Sequence, residues 1–177
     1  MRGRNAPDAS GDHRVTPRRV WEPCLAALGI EQWDLDPATN AHASLPARRK
    51  CDGRRGRDGL RVAWSGHVWF NPPFRSIPPW IEKLAAEIRR GELASATVLV
   101  PSDHSPEWWG ALHDLSHVMA RWQGRPPFVT PGAVNHSPPF PVDVFLWHPR
   151  AAARARWRRV LAPHAFTFPI ERRTLLR

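Results

Sequence analysis

The segment Ala96-Thr97-Val98-Leu99-Val100, closed by Pro101, is the strongest constraint on the fold. It is apolar with no alternation, the mark of a strand covered on both faces. A strand of that kind needs a layer above it and a layer below it. Its neighbours in sequence supply them. Helical stripes at Val20, Trp21, Cys24, Leu25 and Leu28, and at Ile77, Trp80, Ile81, Leu84, Ala85 and Ile88, alternate with short apolar runs. The expected fold is α/β: a compact, mostly parallel sheet with flanking helices.

The length of 177 residues suits one domain. A hydrophobic fraction of 42% is enough for a core and excludes wholesale disorder. No apolar run reaches the roughly 18 residues of a membrane span, and the start, MRGRNAPDAS, has no apolar signal region. Two cysteines, Cys24 and Cys51, are too few for a disulfide scaffold or a four-cysteine zinc site. A reducing cytosol is the expected compartment. The net charge is +10, almost all from arginine, because Lys50 and Lys83 are the only lysines. Such a balance favours an anionic partner, nucleic acid first.

Residues 1–14 read as a mobile basic arm. Thr16 is placed to cap a first helix, with Pro17 at its first position and Gly29 ending it. A short strand follows over Ile30 to Asp36. Residues 39–59, with Arg48, Arg49, Arg54 and Arg55, read as a polar loop or weakly ordered insert, either a solvated surface or a DNA-facing arm. His67 to Phe70 is a buried strand. Ser76 is placed to cap the second helix and Gly91 to close it. A third helix lies around Trp108, Trp109 and Leu112. Strands are expected at 118–122, 142–147 and 166–170, with a helix over 151–161. The domain proper spans 15–149, and a basic helix and terminal strand in 150–177 pack on it.

Chemistry concentrates in Asn71-Pro72-Pro73-Phe74, which follows a strand end. Open α/β sheets place their ligands at that end. The Asn71 side-chain oxygen and the Pro72 carbonyl are two acceptors on a ring-stiffened backbone. Phe74 offers a flat face. Together they suit a planar group bearing NH₂. The lone pair of an aryl amine is delocalised and poorly nucleophilic. Two acceptors drawing on its protons localise that pair for attack on a methyl sulfonium.

This NPPF resembles the [N/D/S]-PP-[Y/F/W] motif of S-adenosylmethionine-dependent amino-methyltransferases. The order of segments from Thr16 to Leu146 resembles the phage DNA N-6-adenine-methyltransferase (Dam) family. The matching pieces are Thr16-Pro17 with Val20-Trp21; Asp34-Leu35-Asp36-Pro37-Ala38 with Asn40-Ala41; Asp58-Gly59-Leu60 with Trp64; Trp80 and Lys83; Asp103; Trp108-Trp109; Gly124-Arg125 with Phe128; and Pro139-Phe140-Pro141. The resemblance implies a reduced Rossmann-like methyltransferase fold that methylates N6 of adenine in DNA, encoded by a phage or prophage. It implies that Asn71, Pro72, Pro73 and Phe74 are catalytic. It places Thr16 and Pro17 beside the methionine end of the cofactor, and Asp36, Pro37 and Ala38 along the cofactor loop. Asp34 or Asp58 would accept hydrogen bonds from the ribose or the adenine amine. Candidates for phosphate contact are Arg48, Arg49, Arg54, Arg55, Arg75, Arg125 and the C-terminal arginines. Two departures stand out: the 36–41 loop has no glycine, and Phe74 stands where Tyr is commoner.

Other features read as structural. Cys24 falls on the apolar stripe of the first helix, so a core thiol is expected. His113 and His117 straddle a helix end and are read as non-ligands. Asp103-His104 lacks a placed serine for a hydrolytic triad. Alternative functions are methylation of RNA or of a protein glutamine amide, and a catalytically silent nucleic-acid-binding relative.

Overall fold

The computed structural model describes residues 15–40, 42–53, 57–128 and 141–171. The elements run α1 (Arg18–Leu28), β1 (Trp33–Asp36), β2 (Ala47–Lys50), β3 (Gly66–Phe70), α2 (Pro78–Arg90), β4 (Leu93–Pro101), α3 (Glu107–Leu115), β5 (Val118–Trp122), β6 (Val142–Trp147), α4 (Ala151–Leu161) and β7 (Ala165–Pro169). The expected arm, Arg54 and Arg55 of the insert, Pro139-Phe140 and the last six residues lie outside the described residues.

Helix α1 buries Val20, Trp21, Cys24 and Leu25, as its stripe requires, and continues across Pro23. Gly29 ends it at φ 72°, a left-handed conformation that glycine adopts without strain. The cap differs from expectation. Pro17 holds the N-cap position, and the Thr16 hydroxyl is used elsewhere. Ser76 likewise does not cap α2. The position belongs to Ile77, and Pro78 with its preset φ starts the helix.

The segment expected to be a loop contains a strand. β2 pairs in parallel with β1, Trp33 with Ala47, Leu35 with Arg49 and Asp36 with Lys50. Backbone groups alone make this ladder, so Arg48, Arg49 and Lys50 remain exposed, as suits a charged sheet edge.

The seven strands form one sheet in the order β2-β1-β3-β4-β6-β5-β7. The expectation of a mostly parallel sheet is not met. The β1–β2, β1–β3 and β3–β4 pairs are parallel, whereas β4–β6, β5–β6 and β5–β7 are antiparallel and include the longest ladder. The cause is β6, which enters between β4 and β5 running against both. Periodicity along a strand is blind to its direction, because both pairings bury the same faces.

Two apolar layers hold the sheet. Leu99, Val144, Leu146 and Ala120 pack with Trp21 and Cys24 of α1 and with Trp157 and Leu161 of α4. Val98, Val100 and Phe145 pack on the other face with Ile81 and Leu84 of α2 and Leu112 of α3. β4 is thus covered on both sides, as its composition demands. From β1 the chain passes to β2 at the edge, then crosses back to β3 on the other flank of β1. Strand order reverses there, which opens a crevice beyond the carboxyl ends of β1 and β3.

Candidate active site

The cleft lies at that reversal. Its walls come from Asp36, Ala38, Thr39 and Asn40 after β1, from Ala43, Ser44 and Leu45 before β2, and from Asn71, Pro72, Pro73 and Phe74 after β3. Val15 and Thr16, ahead of α1, and Phe128, beyond β5, close it. Trp69 lies at its base and packs on Trp33 with ring centroids 5.5 Å apart.

Asn71 is the polar centre of the cleft. Its Nδ2 donates to Thr16 Oγ1 at 3.3 Å. Its Oδ1 is buried and, among the described residues, has no hydrogen-bond partner. An unsatisfied buried acceptor is costly, and at the wall of a cleft a ligand donor can satisfy it. Phe74 lines the same wall and packs against both apolar layers.

Asp36 is 4% exposed at the carboxyl end of β1. Burial pushes its carboxyl up to about 6; the Ala38 N–H, Thr39 and the Lys50 ammonium pull the other way. Ala38 N donates to Asp36 Oδ1 at 3.1 Å. This side-chain-to-backbone bond turns the chain without a glycine. The close approach is supplied from outside the loop. Gly59 lies so near Pro37 that it has no room for a side chain, and its carbonyl takes the Trp64 Nε1–H at 2.8 Å.

Asn71, Pro72, Pro73, Phe74, Thr16, Asp36 and Ala38 therefore meet in one cleft. Asp34 and Asp58 are not on its walls. Asp34 Oδ2 accepts the His67 N–H at 2.8 Å, and Oδ1 lies 3.7 Å from Arg48 Nε, so it binds β1 to the start of β3. Asp58 Oδ1 accepts the Leu60 N–H at 3.0 Å, and Oδ2 lies 3.3 Å from Arg61 Nε. It shapes the turn that carries Gly59. Pro17 and Pro37 are not on the cleft walls either; Pro37 lies between Asp36 and Ala38 and touches Gly59. Sequence reasoning gave no role to Val15, Thr39, Ser44 or Leu45, which carry no chemical signature. Phe128 was legible only as part of the ordered series.

Among the basic residues, Arg48, Arg49, Arg75 and Arg125 are exposed. Arg49 Nη2 donates to Ala63 O at 2.9 Å, and Arg19 Nη2 reaches Arg125 O at 3.1 Å. Arg75 directly follows Phe74 at the cleft. In α4, Arg156 Nη2 donates to Ala26 O at 3.0 Å, so this arginine holds α4 to α1. Cys24 is fully buried, and desolvation pushes its thiol far up, which fits a core thiol. Among the described residues no cluster of three His, Cys, Asp or Glu could hold a metal ion, and no helix is long and apolar enough to cross a membrane.

A sheet with helices on both faces and a polar cleft where its strand order reverses defines a class: α/β proteins that take their ligand beyond the carboxyl ends of the strands. Within that class the sequence is specific. The model of the DNA N-6-adenine-methyltransferase (Dam) family matches residues 3–150, most of the chain, and the protein belongs to that family. No curated protein matches it closely. Membership makes it a DNA adenine methyltransferase by class.

Proposed function

We propose that the protein transfers a methyl group from S-adenosylmethionine to N6 of an adenine turned out of DNA into this cleft. The observation that carries the reading is the Asn71 Oδ1 atom of the cleft wall, buried and without a partner among the described residues. An exocyclic amine has the donor that this atom lacks. The Pro72 carbonyl is the second acceptor, on a backbone stiffened by the following proline. Phe74 is the face on which the base stacks, and Phe128 is a further apolar wall. Adenine N6 is paired and stacked in a duplex, so the base must leave the helix to reach these groups.

The cofactor is a cation with hydroxyl and amine donors. The residues on the cleft wall fit it: Asp36 is a buried carboxylate that accepts from such donors, and Thr16 presents a hydroxyl that can donate to an oxygen of the cofactor. Bound S-adenosylmethionine supplies an electrophilic methyl. The protein's part is to hold the amine. Asn71 and Pro72 each take one N–H of adenine, which localises the nitrogen lone pair toward the methyl carbon. As the N–C bond forms, the S–C electron pair returns to sulfur, and one N–H proton leaves to water. Stabilisation of this kind acts by position and fixed dipoles, with no covalent enzyme intermediate.

The missing glycines of the 36–41 loop are the best argument for a silent relative. The Asp36–Ala38 turn and the Gly59 contact weigh against it, because they build the loop by other means. The test is methyl transfer from labelled S-adenosylmethionine to DNA, with RNA and glutamine peptides as competing acceptors. Asn71→Ala should lower the DNA rate by about a hundredfold or more while the fold persists. Undiminished transfer by that variant, or preference for RNA or peptide, overturns the reading.

A further inference from the structure

The two ends of an asparagine amide have nearly the same shape and opposite hydrogen-bonding sense. To receive an amine proton, Asn71 must turn Oδ1 to the cleft, and steric fit alone does not decide between the two orientations. In this structure Nδ2 faces Thr16 Oγ1 and Oδ1 is the orphan. Thr16 lies far back in sequence, at the head of α1, yet it is 8% exposed and lines the same cleft. Among the described residues, the bond from Asn71 is the one hydrogen bond of its side chain. A hydroxyl has one proton and two lone pairs. Once its proton is given to another acceptor, its oxygen can only accept, and the amide end that meets it has to be NH₂.

We propose that Thr16 is a positioning residue: its hydroxyl gives its proton to an oxygen of the bound methyl donor and takes the Asn71 Nδ2–H, which leaves Oδ1 turned to the substrate amine. Occupancy of the donor site and orientation of the acceptor are thereby linked. An empty donor site lets the hydroxyl turn and the amide flip. A filled one selects the reactive orientation. The inference rests on the reading of Asn71 as the amine acceptor and adds the residue that orients it.

The test combines Thr16→Val, which keeps the shape and removes the hydroxyl, with Thr16→Ser, which restores it. Each is made in the parent and in Asn71→Asp. Single-turnover methyl transfer at saturating S-adenosylmethionine is measured beside donor affinity by calorimetry, and circular dichroism checks the fold. In the parent, Thr16→Val should slow the saturated rate by about ten- to a hundredfold, the usual cost of losing an orienting partner. Thr16→Ser should recover most of it. A carboxylate has two equivalent oxygens and no wrong orientation, so in the Asn71→Asp background the valine should cost less than about threefold. A Thr16→Val protein that binds the donor more weakly but reacts at the full saturated rate overturns the proposal, since Thr16 is then a donor ligand alone. Equal losses in the two backgrounds, or no rescue by serine, also overturn it. If Asn71→Asp has no activity, the rate-versus-affinity split and the serine rescue decide. Failure of the underlying reading looks different: Asn71→Ala would then keep its activity.

Discussion

A Cβ atom on Gly59 would lie 1.8 Å from the carbonyl oxygen of Pro37, so the two backbone segments touch with nothing between them. The loop that lines the cleft is held from behind by a chain that cannot carry a side chain. Gly59→Ala must push residues 36–38 toward the cleft or move the turn bearing Trp64. Overpacking of this kind costs about 1–3 kcal/mol. The expected variant folds, unfolds at a lower urea concentration and binds S-adenosylmethionine at least about tenfold more weakly, because a displacement of about an ångström in a positioned site is costly. Calorimetry and urea titration measure the two effects. Unchanged donor affinity would show that the loop does not bear on the cofactor.

Asp36 should give stability an unusual pH dependence. Its folded carboxyl titrates at about 6 because it is buried, whereas an unfolded aspartate titrates at about 3.9. Between these values the folded state holds a proton that the unfolded state has released. Stability contributed by this group therefore falls as pH rises from about 4 to about 6, and the full penalty, on the order of 3 kcal/mol, applies above that window. Asp36→Asn keeps an oxygen for the Ala38 N–H and carries no charge. It should be the more stable protein at pH 7 and should lose this slope. Thermal unfolding across pH 4–8 measures both.

Glu87 predicts the opposite sign. It is 3% exposed. Burial alone would raise its carboxyl, but Lys83 and Arg90 hold it below the usual range. Lys83 Nζ lies 2.5 Å from Oε1, and Arg90 Nε lies 2.7 Å from Oε2. Arg90 also donates to the Trp64 carbonyl. The stabilisation is complete above the unfolded pKa of about 4.3 and is lost as pH falls through the lower folded value. Glu87→Ala leaves both cations without their buried partner and should cost about 3 kcal/mol at pH 7. Urea unfolding at pH 7 and pH 3 should show a deficit that shrinks in acid.

Two arginines should separate DNA contact from scaffolding. Arg75 is exposed beside Phe74 at the cleft. Its replacement by alanine should weaken binding to all DNA sequences alike and reduce the slope of log K against log salt by about 1. Arg156 is committed to Ala26 O. Arg156→Ala should leave that slope unchanged and lower the melting temperature by a few degrees, as expected for about 1 kcal/mol. Fluorescence anisotropy over a salt series decides.

How much of this could be read beforehand follows from which forces leave a trace in sequence. The stripes of α1 and α2, their glycine stops and the two-sided burial of β4 are patterns of apolar residues, and each was legible. The meeting of Asn71, Phe74, Asp36 and Thr16 was legible through motif order. β2 was not, because its ladder is backbone-made and its Arg48, Arg49 and Lys50 side chains stay in water. The reversed course of β6 was hidden for a related reason: direction leaves no mark on periodicity. Thr16 and Ser76 fit the residue preference of a helix cap, but prolines took both starts. Asp34 or Asp58 was a candidate ligand carboxylate through motif order, and only the fold shows that Asp34 Oδ2 accepts the His67 N–H.

The insertion of β6 between β4 and β5 also orders events during synthesis. Asp36 and Asn71 are joined to their strands early in translation, but β4 and β5 share no ladder until residues 142–147 have been made. Until then the emerging chain has a half-sheet with an open flank, and α1 lacks its cover from α4. Such a flank is sticky. The ribosome must therefore release residues 142–147 before the cleft gains a rigid support, and any premature stop upstream of that strand yields an unfinished sheet in place of a smaller working enzyme.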